Sequence, residues 1–339
     1  MILVLNCGSQ SIKWKVFDKN FRAVKQGSRK ILAENYQTAL SSELQAIAMS
    51  EIAITMVGHR VVHGGNKFRK TVKITRSVLD SLEKLSHFAP LHNPYNILGI
   101  KTCQKIFRKI ENFAVFDTEF FSDLPETVFT YALPEKLAKK FGFRRFGFHG
   151  ISHEYVAKKA AATAQKPFDK LKIITCHLGG GSSIAAIKNG KAIDTSMGFT
   201  PMEGLVMMTR SGSIDPGIIL KITKEFGFKK TGEVLNKESG LKGICGESSM
   251  LKILDRIKKG DRKAKLAFDI FVYSIKKYIG SYHTILGGCD ILVFTGAVGS
   301  GESITRNAIC RNLKILKNTK ILAIKTDEEL AIATKILNF

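Results

Sequence analysis

Two arginines occupy glycine-containing stretches of this sequence in which they could bind an anion. Arg60 lies in residues 58–65 (GHRVVHGG), and Arg210 lies in residues 207–212 (MMTRSG). The planar donors of a guanidinium group match a carboxylate or a phosphate, although either arginine could instead pair with a carboxylate for structural reasons alone. Together the two arginines predict a clamp on the oxygens of a phosphoryl group during its transfer.

Three further side chains are candidates for acid–base or electrostatic catalysis. Asp117 follows the apolar run 113–116 (FAVF), at the end of a predicted strand. His149 and His153 are four residues apart, a spacing that can bind zinc, but neither an HExxH glutamate nor a third ligand accompanies them. We therefore interpret His149 as a donor to developing negative charge and His153 as a structural hydrogen-bonding residue. A structural role for both histidines stays open.

Three turns rich in small residues could hold phosphate groups. They span residues 8–11 (GSQS), 179–183 (GGGSS) and 296–301 (GAVGSG), and each follows an apolar run that predicts a strand. Glycine lets the backbone approach an anion closely. The chain has no GxxxxGK[ST] motif, which excludes an ordinary P-loop. One such turn is a weak signal, but three of them predict a phosphate site.

The elements that must position these residues alternate between strands and helices. Residues 2–16 predict strand, turn and strand, and the same order recurs over 173–187, which indicates a duplicated domain. Apolar spacing predicts helices over 77–88, 134–141 and 263–286 and a strand over 291–295. A last helix near 328–337 is expected to pack back on the first half of the chain. This order is typical of the α/β class.

The composition favours an enzyme over a disordered, membrane or nucleic-acid-binding protein. The chain has 339 residues, of which 44% are hydrophobic. We find no signal-peptide pattern, no membrane-spanning apolar run and no CxxC pair among the six cysteines, so we expect a cytoplasmic protein with reduced thiols. The net charge of +24 is spread along the chain without an RNA-binding signature. We therefore expect anionic substrates, no membrane and no specific nucleic acid.

Eight motifs, in family order, resemble the acetokinase family of acetate, propionate and butyrate kinases. They are residues 6–13 (NCGSQSIK), 58–65, 89–94 (APLHNP), 116–118 (FDT), 145–153 (RFGFHGISH), 175–183 (TCHLGGGSS), 194–201 (DTSMGFTP) and 209–216 (TRSGSIDP). The resemblance implies an α/β fold of two duplicated ribonuclease H-like lobes around a central cleft, as in actin-like ATPases. It assigns 1–118 and 325–339 to the first lobe, which the C-terminal helix closes, and 119–324 to a second lobe that carries most of the nucleotide site.

The resemblance also implies a reaction and its catalytic residues. The reaction is a reversible, direct in-line phosphoryl transfer between ATP and acetate that gives acetyl phosphate and ADP, catalysed by a homodimer. Asp117, His149 and Arg210 would be catalytic, and Arg60 would bind the substrate carboxylate.

The same resemblance implies the contacts of the metal, the substrate and the nucleotide. Asn6 and Glu328 would hold Mg²⁺, with Mn²⁺ as an alternative. The alkyl end of the substrate would contact Val62, Leu91, Phe148 and Pro201. ATP or ADP would contact Lys13, His177, Leu178, Gly179, Gly180, Gly181, Met250, Leu251, Lys252, Ala297, Val298, Gly299, Ser300 and Gly301.

Three departures from the family pattern fall on the nucleotide side. Gly180 stands where the family usually has asparagine, residues 250–252 (MLK) replace Asp-Phe-Arg, and residues 297–301 (AVGSG) replace Gly-Ile-Gly-Glu-Asn. Two alternatives to an acetate kinase therefore stay open. One is a propionate or butyrate kinase, since one methylene changes binding by only about 1–3 kcal/mol. The other is a catalytically weakened nucleotide-binding relative.

Overall fold

The computed structural model describes residues 1–9, 11–31, 33–90 and 92–339, and the chain divides into two units. The first unit contains Met1–Ser122, Gly150–Ser152 and Asp327–Phe339. The second unit contains Asp123–His149 and His153–Thr326. The C-terminal segment thus belongs to the first unit. The predicted division into 1–118 with 325–339 and 119–324 stays a prediction of the lobe boundaries.

Strands and helices follow one another along both units. The strands, in chain order, are β1 (Ile2–Gly8), β2 (Ser11–Phe17), β3 (Ala23–Lys30), β4 (Met56–Val61), β5 (Val72–Lys73), β6 (Glu111–Phe116), β7 (Lys172–Leu178), β8 (Ser182–Lys188), β9 (Lys191–Thr195), β10 (Ile291–Thr295) and β11 (Lys320–Ala323). The helices are α1 (Tyr36–Ala48), α2 (Arg76–Lys84), α3 (Asn93–Ile106), α4 (Glu126–Phe129), α5 (Glu135–Phe141), α6 (Gly150–Thr163), α7 (Pro216–Glu233), α8 (Gly240–Cys245), α9 (Met250–Lys258), α10 (Arg262–Leu286), α11 (Gly296–Gly301), α12 (Ser303–Cys310) and α13 (Glu328–Leu337).

Five strands of each unit share the same connectivity, and β5 of the first unit has no counterpart among the described strands of the second. The strand order is β3-β2-β1-β4-β6-β5 in the first unit and β11-β10-β7-β8-β9 in the second. The antiparallel strands β1 to β3 correspond to β7 to β9. The parallel strands β4 and β6 correspond to β10 and β11. This repeat supports the duplication that the two strand–turn–strand patterns predict.

Most elements lie where the apolar spacing predicts them, with one correction. The strands over 2–16 and 291–295 and the helices α2, α5, α10 and α13 agree with the predictions to within a few residues. Residues 296–301, however, form the helix α11 rather than a turn. Glycine and serine have low helix propensity, but here Ser300 Oγ donates to Gly296 O at 2.8 Å and Gly299 packs against β7. Tertiary packing therefore overrides the local preference.

Helices cover each sheet with an apolar face. In the first unit, α13 packs on β1 and β4 through Ile332, Ala333 and Ile336, which agrees with the expected return of the last helix. In the second unit, α10 packs on β7 and β8, with Phe271 and Ile275 in the core. Within the described ranges, no helix has the length and hydropathy needed to cross a membrane.

Candidate active site

Arg60 and Asp117 pair at the carboxyl ends of two neighbouring strands of the first unit. Arg60 lies near the end of β4, Asp117 follows β6, and the strands are parallel with Val61 opposite Phe116. The guanidinium forks onto the carboxylate, because Nε donates to Oδ1 at 3.0 Å and Nη2 donates to Oδ2 at 2.6 Å. Asp117 is only 1% exposed. The predicted substrate-binding arginine and catalytic carboxylate are therefore direct partners.

The other edge of the Arg60 guanidinium meets the residues that the resemblance assigns to the metal. Nη1 donates to Asn6 Oδ1 at 3.2 Å and lies 3.6 Å from Glu328 Oε2. Asn6 Nδ2 donates to Glu329 Oε1 at 3.4 Å. A guanidinium group has five N–H donors, and the hydrogen bonds to Asp117 and Asn6 use three of them. One N–H of Nη1 and one N–H of Nη2 therefore remain for Glu328 or a substrate carboxylate.

The carboxylates around Arg60 keep its guanidinium group protonated. Burial lowers the pKa of Arg60, but the carboxylates of Asp117 and Glu328 raise it more, to above its ordinary value. Burial raises the pKa of Asp117, and the Arg60 guanidinium opposes that shift. Without Arg60, Asp117 would be a buried acid whose charged form is poorly stabilised.

Lys15 holds the start of helix α13 next to this group. Its Nζ donates to Asp327 Oδ1 and Oδ2 at 2.7 and 2.8 Å and lies 3.5 Å from Glu329 Oε2. Asp327 also caps the helix by accepting a hydrogen bond from Leu330 N at 3.0 Å. These contacts fix the acidic turn that carries Glu328. The sequence analysis missed Lys15 because it alternates with apolar residues like any solvent-facing strand position.

Lys13, a predicted nucleotide contact, lies on β2 directly opposite Asn6 in the antiparallel pair. Its side chain is exposed, and with Trp14, Lys15 and Glu329 it lines a cavity of about 370 Å³ within the first unit. The ammonium group of Lys13 is thus carried by the same strand pair as the predicted metal ligand Asn6.

Histidines of the second unit meet around the hydroxyl group of Ser183. His149 Nδ1 lies 2.9 Å and His153 Nε2 lies 2.7 Å from Ser183 Oγ. His153 Nδ1 lies 2.7 Å from Thr175 Oγ1, and the His177 ring stacks on His149 with their centroids 4.3 Å apart. Burial, with a smaller effect of His177, lowers the pKa of His153 well below its usual range, so this residue is neutral. His153 therefore has the structural hydrogen bonds that the sequence analysis expected.

The backbone of His149 is held in an uncommon conformation. Its φ of 58° and ψ of 23° are left-handed, and it is the residue that precedes helix α6. The next residue, Gly150, donates its N–H to Asp117 O at 2.8 Å in the first unit. A left-handed backbone in a non-glycine residue costs about 1–3 kcal/mol and is often found at functional sites.

Arg210 approaches His149 at the glycine-rich turn after β7. A Cβ added at Gly181 would lie 3.3 Å from His149 Cε1 and 3.5 Å from Arg210 Nη1. Arg210 Nη1 donates to Pro201 O at 3.2 Å. Burial lowers the pKa of Arg210, and no acid among the described residues offsets this effect. A buried cation beside an imidazole and the backbone N–H groups of a glycine-rich turn suits an anionic oxygen.

Two of the three segments rich in small residues, the turn at 179–183 and helix α11, lie side by side in the second unit. Gly296, with a φ of 78°, lies so close to β7 that a Cβ there would be 2.5 Å from Leu178 O. A Cβ at Gly179 would be 4.0 Å from Ala297 N. A Cβ at Gly180 would meet none of the described atoms within 4 Å, so this position is open. The segments predicted to contact the nucleotide phosphates thus come together.

The other predicted ligand contacts divide between core and surface. Among the nucleotide residues, Met250, Val298 and Gly299 are buried, whereas Leu251, Lys252 and Gly301 are exposed. Among the substrate residues, Val62 is buried in the first unit and Phe148 is buried in the second, where Pro201 is partly exposed. Leu91 lies outside the described residues.

Comparison with known proteins identifies the family. A model of the acetokinase family matches residues 25–336. The chain belongs to the acetokinase family. An acetate kinase from Carboxydothermus hydrogenoformans is 42% identical over 99% of this chain and 98% of its own length.

Solved structures agree with this family assignment. The acetate kinase of Porphyromonas gingivalis superimposes with a TM-score of 0.90 and 36% identity, covering 99% of this chain and 98% of its own. A propionate kinase from Francisella tularensis superimposes with a TM-score of 0.89 and 37% identity, covering 98% of each chain. The predicted family, the fold of two ribonuclease H-like lobes and the enzyme class, a phosphotransferase with a carboxyl acceptor, are confirmed.

Proposed function

We propose that this acetokinase transfers the γ-phosphoryl group of ATP to acetate and catalyses the reverse reaction from acetyl phosphate and ADP. The observation that carries this proposal is that His149 and Arg210 both lie next to Gly181. Among the described residues, no acid offsets the effect of burial on Arg210. Such a buried cation and imidazole are suited to stabilise the charge of a phosphoryl group in transfer. The acetate kinases at 42% and 36% identity support acetate as the acceptor.

The carboxylate side of the reaction is assigned to the first unit. Arg60 would bind the substrate carboxylate through the N–H donors on the edge that faces Asn6 and Glu328. Asp117 occupies the opposite edge and would keep the guanidinium oriented. We propose Val62, Leu91, Phe148 and Pro201 as contacts of the alkyl group.

The donors near Arg60 fit a divalent metal that shares its coordination with the nucleotide. Asn6 and Glu328 supply an amide and a carboxylate oxygen, the ligand types that Mg²⁺ prefers. No three acidic, histidine or cysteine side chains in the described chain form a self-sufficient metal site. This suits Mg²⁺, or Mn²⁺ in its place, because Mg²⁺ usually keeps water and phosphate ligands. When bound, the metal would neutralise charge on the nucleotide phosphates.

The transfer itself needs no general base. An acetate oxygen attacks the γ-phosphorus in line, the bond to the bridging oxygen breaks, and ADP leaves with that electron pair. Acetate is ionised near neutral pH, so no proton has to be removed from the nucleophile. Asp117 therefore acts by orientation rather than by proton abstraction. Arg210 and His149 would stabilise the equatorial oxygens, and the glycine-rich segments with Lys13 would hold the remaining phosphates.

A propionate kinase is the second candidate, and the Francisella tularensis structure at 37% identity favours it. Acetate and propionate differ by one methylene, which is worth only about 1–3 kcal/mol in a pocket. A weakened relative is the third candidate, because the departures at Gly180, 250–252 and 297–301 all fall on the nucleotide side.

One assay separates these candidates. The chain is incubated with Mg²⁺, ATP, hydroxylamine and acetate, propionate or butyrate, and the trapped acyl hydroxamate is measured. We expect the highest kcat/KM with acetate. A higher value with propionate or butyrate would reassign the substrate, and no hydroxamate with any acid would favour the weakened relative. Arg76→Ala is a matched control for arginine variants of the site, because Arg76 is exposed and forms a surface ion pair with Asp80.

We further propose that the enzyme works as a cytoplasmic homodimer and binds no specific nucleic acid. The segment Pro216–Glu233, whose helix is broken at the non-helical Gly227, exposes apolar side chains for self-association, since Leu220 is 72% and Phe228 is 88% exposed. Phe228→Glu should then convert the dimer to a monomer in sedimentation-velocity experiments. A wild-type monomer at micromolar concentration would rule out this assembly.

A further inference from the structure

Glu203 links two separate segments of the second unit through hydrogen bonds. Its Oε1 accepts a hydrogen bond from Arg145 Nη2 at 2.6 Å, and its Oε2 accepts one from the Tyr131 hydroxyl. The Tyr131 hydroxyl oxygen in turn accepts a hydrogen bond from Phe199 N at 2.8 Å. We call Glu203, Arg145 and Tyr131 the Glu203 triad. None of the three belongs to the residues assigned to substrate, nucleotide or metal.

The triad fixes the loop that follows strand β9. Arg145 Nη1 donates to the carbonyl oxygens of Thr195, Ser196 and Met197 at 3.3, 3.4 and 3.2 Å. The loop lies tightly against the triad, because a Cβ added at Gly198 would overlap both the Glu203 carboxylate and the Tyr131 hydroxyl group. The loop is therefore held on both its carbonyl and its amide side.

The two segments that the triad connects each carry or contact a proposed catalytic residue. Arg145 begins the segment 145–149, which ends at His149, and Phe146 N donates to Gly198 O at 3.0 Å. The loop carries Pro201, whose carbonyl oxygen accepts the hydrogen bond from Arg210 Nη1 at 3.2 Å. The triad thus clamps the segment that carries His149 to the segment that holds Arg210.

We propose that the Glu203 triad is a positioning group that fixes His149 and Arg210 relative to the transferred phosphoryl group. The inference deepens the proposed function and rests on it. A displacement of about 1 Å at such groups can reduce the rate about 100-fold without removing a catalytic side chain. The triad acts through the loop and does not itself contact the substrate.

The kinetic test is a double-mutant cycle between Glu203 and Arg210. We expect Glu203→Ala to lower kcat by about 10–100-fold and to change both KM values by less than about threefold. Because part of the triad's effect acts through Arg210, Glu203→Ala should lower kcat by a clearly smaller factor in an Arg210→Ala background than in wild type, with the remaining loss acting through His149. Equal losses in both backgrounds would overturn the proposal. Glu203→Gln, which keeps one carbonyl acceptor in a side chain of the same shape, should restore part of the rate.

Two surface variants of the second unit serve as controls. Glu135→Ala removes an exposed carboxylate that pairs with Lys139, and Tyr273→Phe removes a hydroxyl group from a residue that is 66% exposed. Both should leave kcat within about twofold of wild type. Tyr131→Phe, which breaks the triad with the loss of one oxygen atom, should lower kcat, and it carries the test if Glu203→Ala fails to fold.

Hydrogen–deuterium exchange tests the clamp independently of catalysis. Peptides that cover residues 143–149 and 196–204 should exchange faster in Tyr131→Phe and Glu203→Ala than in wild type, while peptides from α10 should not change. Unchanged protection in both segments would overturn the proposal even if kcat falls. If the wild-type chain forms no acyl phosphate, the proposed function fails, whereas the exchange result still decides whether the triad holds the two segments.

Discussion

We expect Arg60→Ala to destabilise the first unit by about 3–5 kcal/mol, in addition to removing the proposed carboxylate ligand. Asp117 is 1% exposed and accepts two hydrogen bonds from Arg60, at 3.0 and 2.6 Å. Alanine removes both donors and leaves a buried acid without its guanidinium partner. This effect exceeds the roughly 0–1 kcal/mol of an exposed ion pair, because the remaining charge cannot return to water.

The loss of stability should depend on pH with a definite sign. Burial raises the pKa of Asp117 and Arg60 opposes that shift, so removing Arg60 raises the folded-state pKa further above its unfolded value. A group with a raised folded-state pKa stabilises the fold at low pH, and this contribution is lost as the pH rises through the folded-state value. Lowering the pH from about 7 to about 5 should therefore narrow the difference between Arg60→Ala and wild type.

The assay is urea unfolding followed by the fluorescence of Trp14. This residue is the single tryptophan of the chain and is buried in the first unit. With a slope of about 3 kcal/mol per molar urea, the expected loss lowers the midpoint by about 1–1.7 M. The control Arg76→Ala should lower it by less than about 0.3 M. An Arg60→Ala midpoint equal to that of the control, or a difference that does not narrow in acid, would refute the reasoning.

Three further predictions concern the second unit. Arg210→Ala should lower kcat by about 10²–10³-fold in the hydroxamate assay. Its thermal midpoint by circular dichroism should stay near that of wild type, because no described acid loses its partner. Ser183→Ala removes the hydroxyl group that lies between His149 and His153. It should lower kcat about tenfold and shift the pH–rate profile. An unchanged pH–rate profile would show that the Ser183 hydroxyl group does not support His149 in catalysis. Gly180→Asn adds a hydrogen-bond donor at an open position. It should lower the KM for ATP about fivefold, which corresponds to one net hydrogen bond of about 1 kcal/mol. An unchanged or higher KM for ATP would contradict the assignment of the turn at 179–183 to the nucleotide.

The features that could be predicted from sequence are those encoded by neighbouring residues. Helix α13 was predictable because its apolar positions recur at helical spacing over residues 328–337, and it spans Glu328–Leu337. The helix α11 was not, because glycine and serine disfavour a helix and only packing against β7 stabilises it. Where local propensity is strong, it determines the secondary structure of a segment. Where local propensity is weak, contacts with distant segments determine it.

The candidate site follows the same division. Arg60 and Asp117 could each be recognised from a motif, and the sequence left open whether Arg60 pairs with a carboxylate or binds a ligand. In the structure the two alternatives are compatible. Arg60 pairs with the carboxylate of Asp117, and this pair still leaves N–H donors for a ligand. Arg60 and Asp117 meet because β4 and β6 are parallel neighbours in the sheet. The two residues are 57 positions apart in the sequence, and a separation of that length does not predict a contact.

Lys15 and Glu203 extend this argument to residues that no motif marks by function. Lys15 contacts Asp327 across 312 residues, and Glu203 contacts Arg145 across 58 residues. Each holds a segment that carries a proposed ligand or catalytic group, so each controls position without contacting a substrate. Glu203 also lies just beyond the motif at 194–201, where its carboxylate could be taken for a solvent-facing charge. A mutational study guided by motifs alone would therefore sample the groups that meet the phosphoryl group and omit those that determine whether they meet it in a productive geometry.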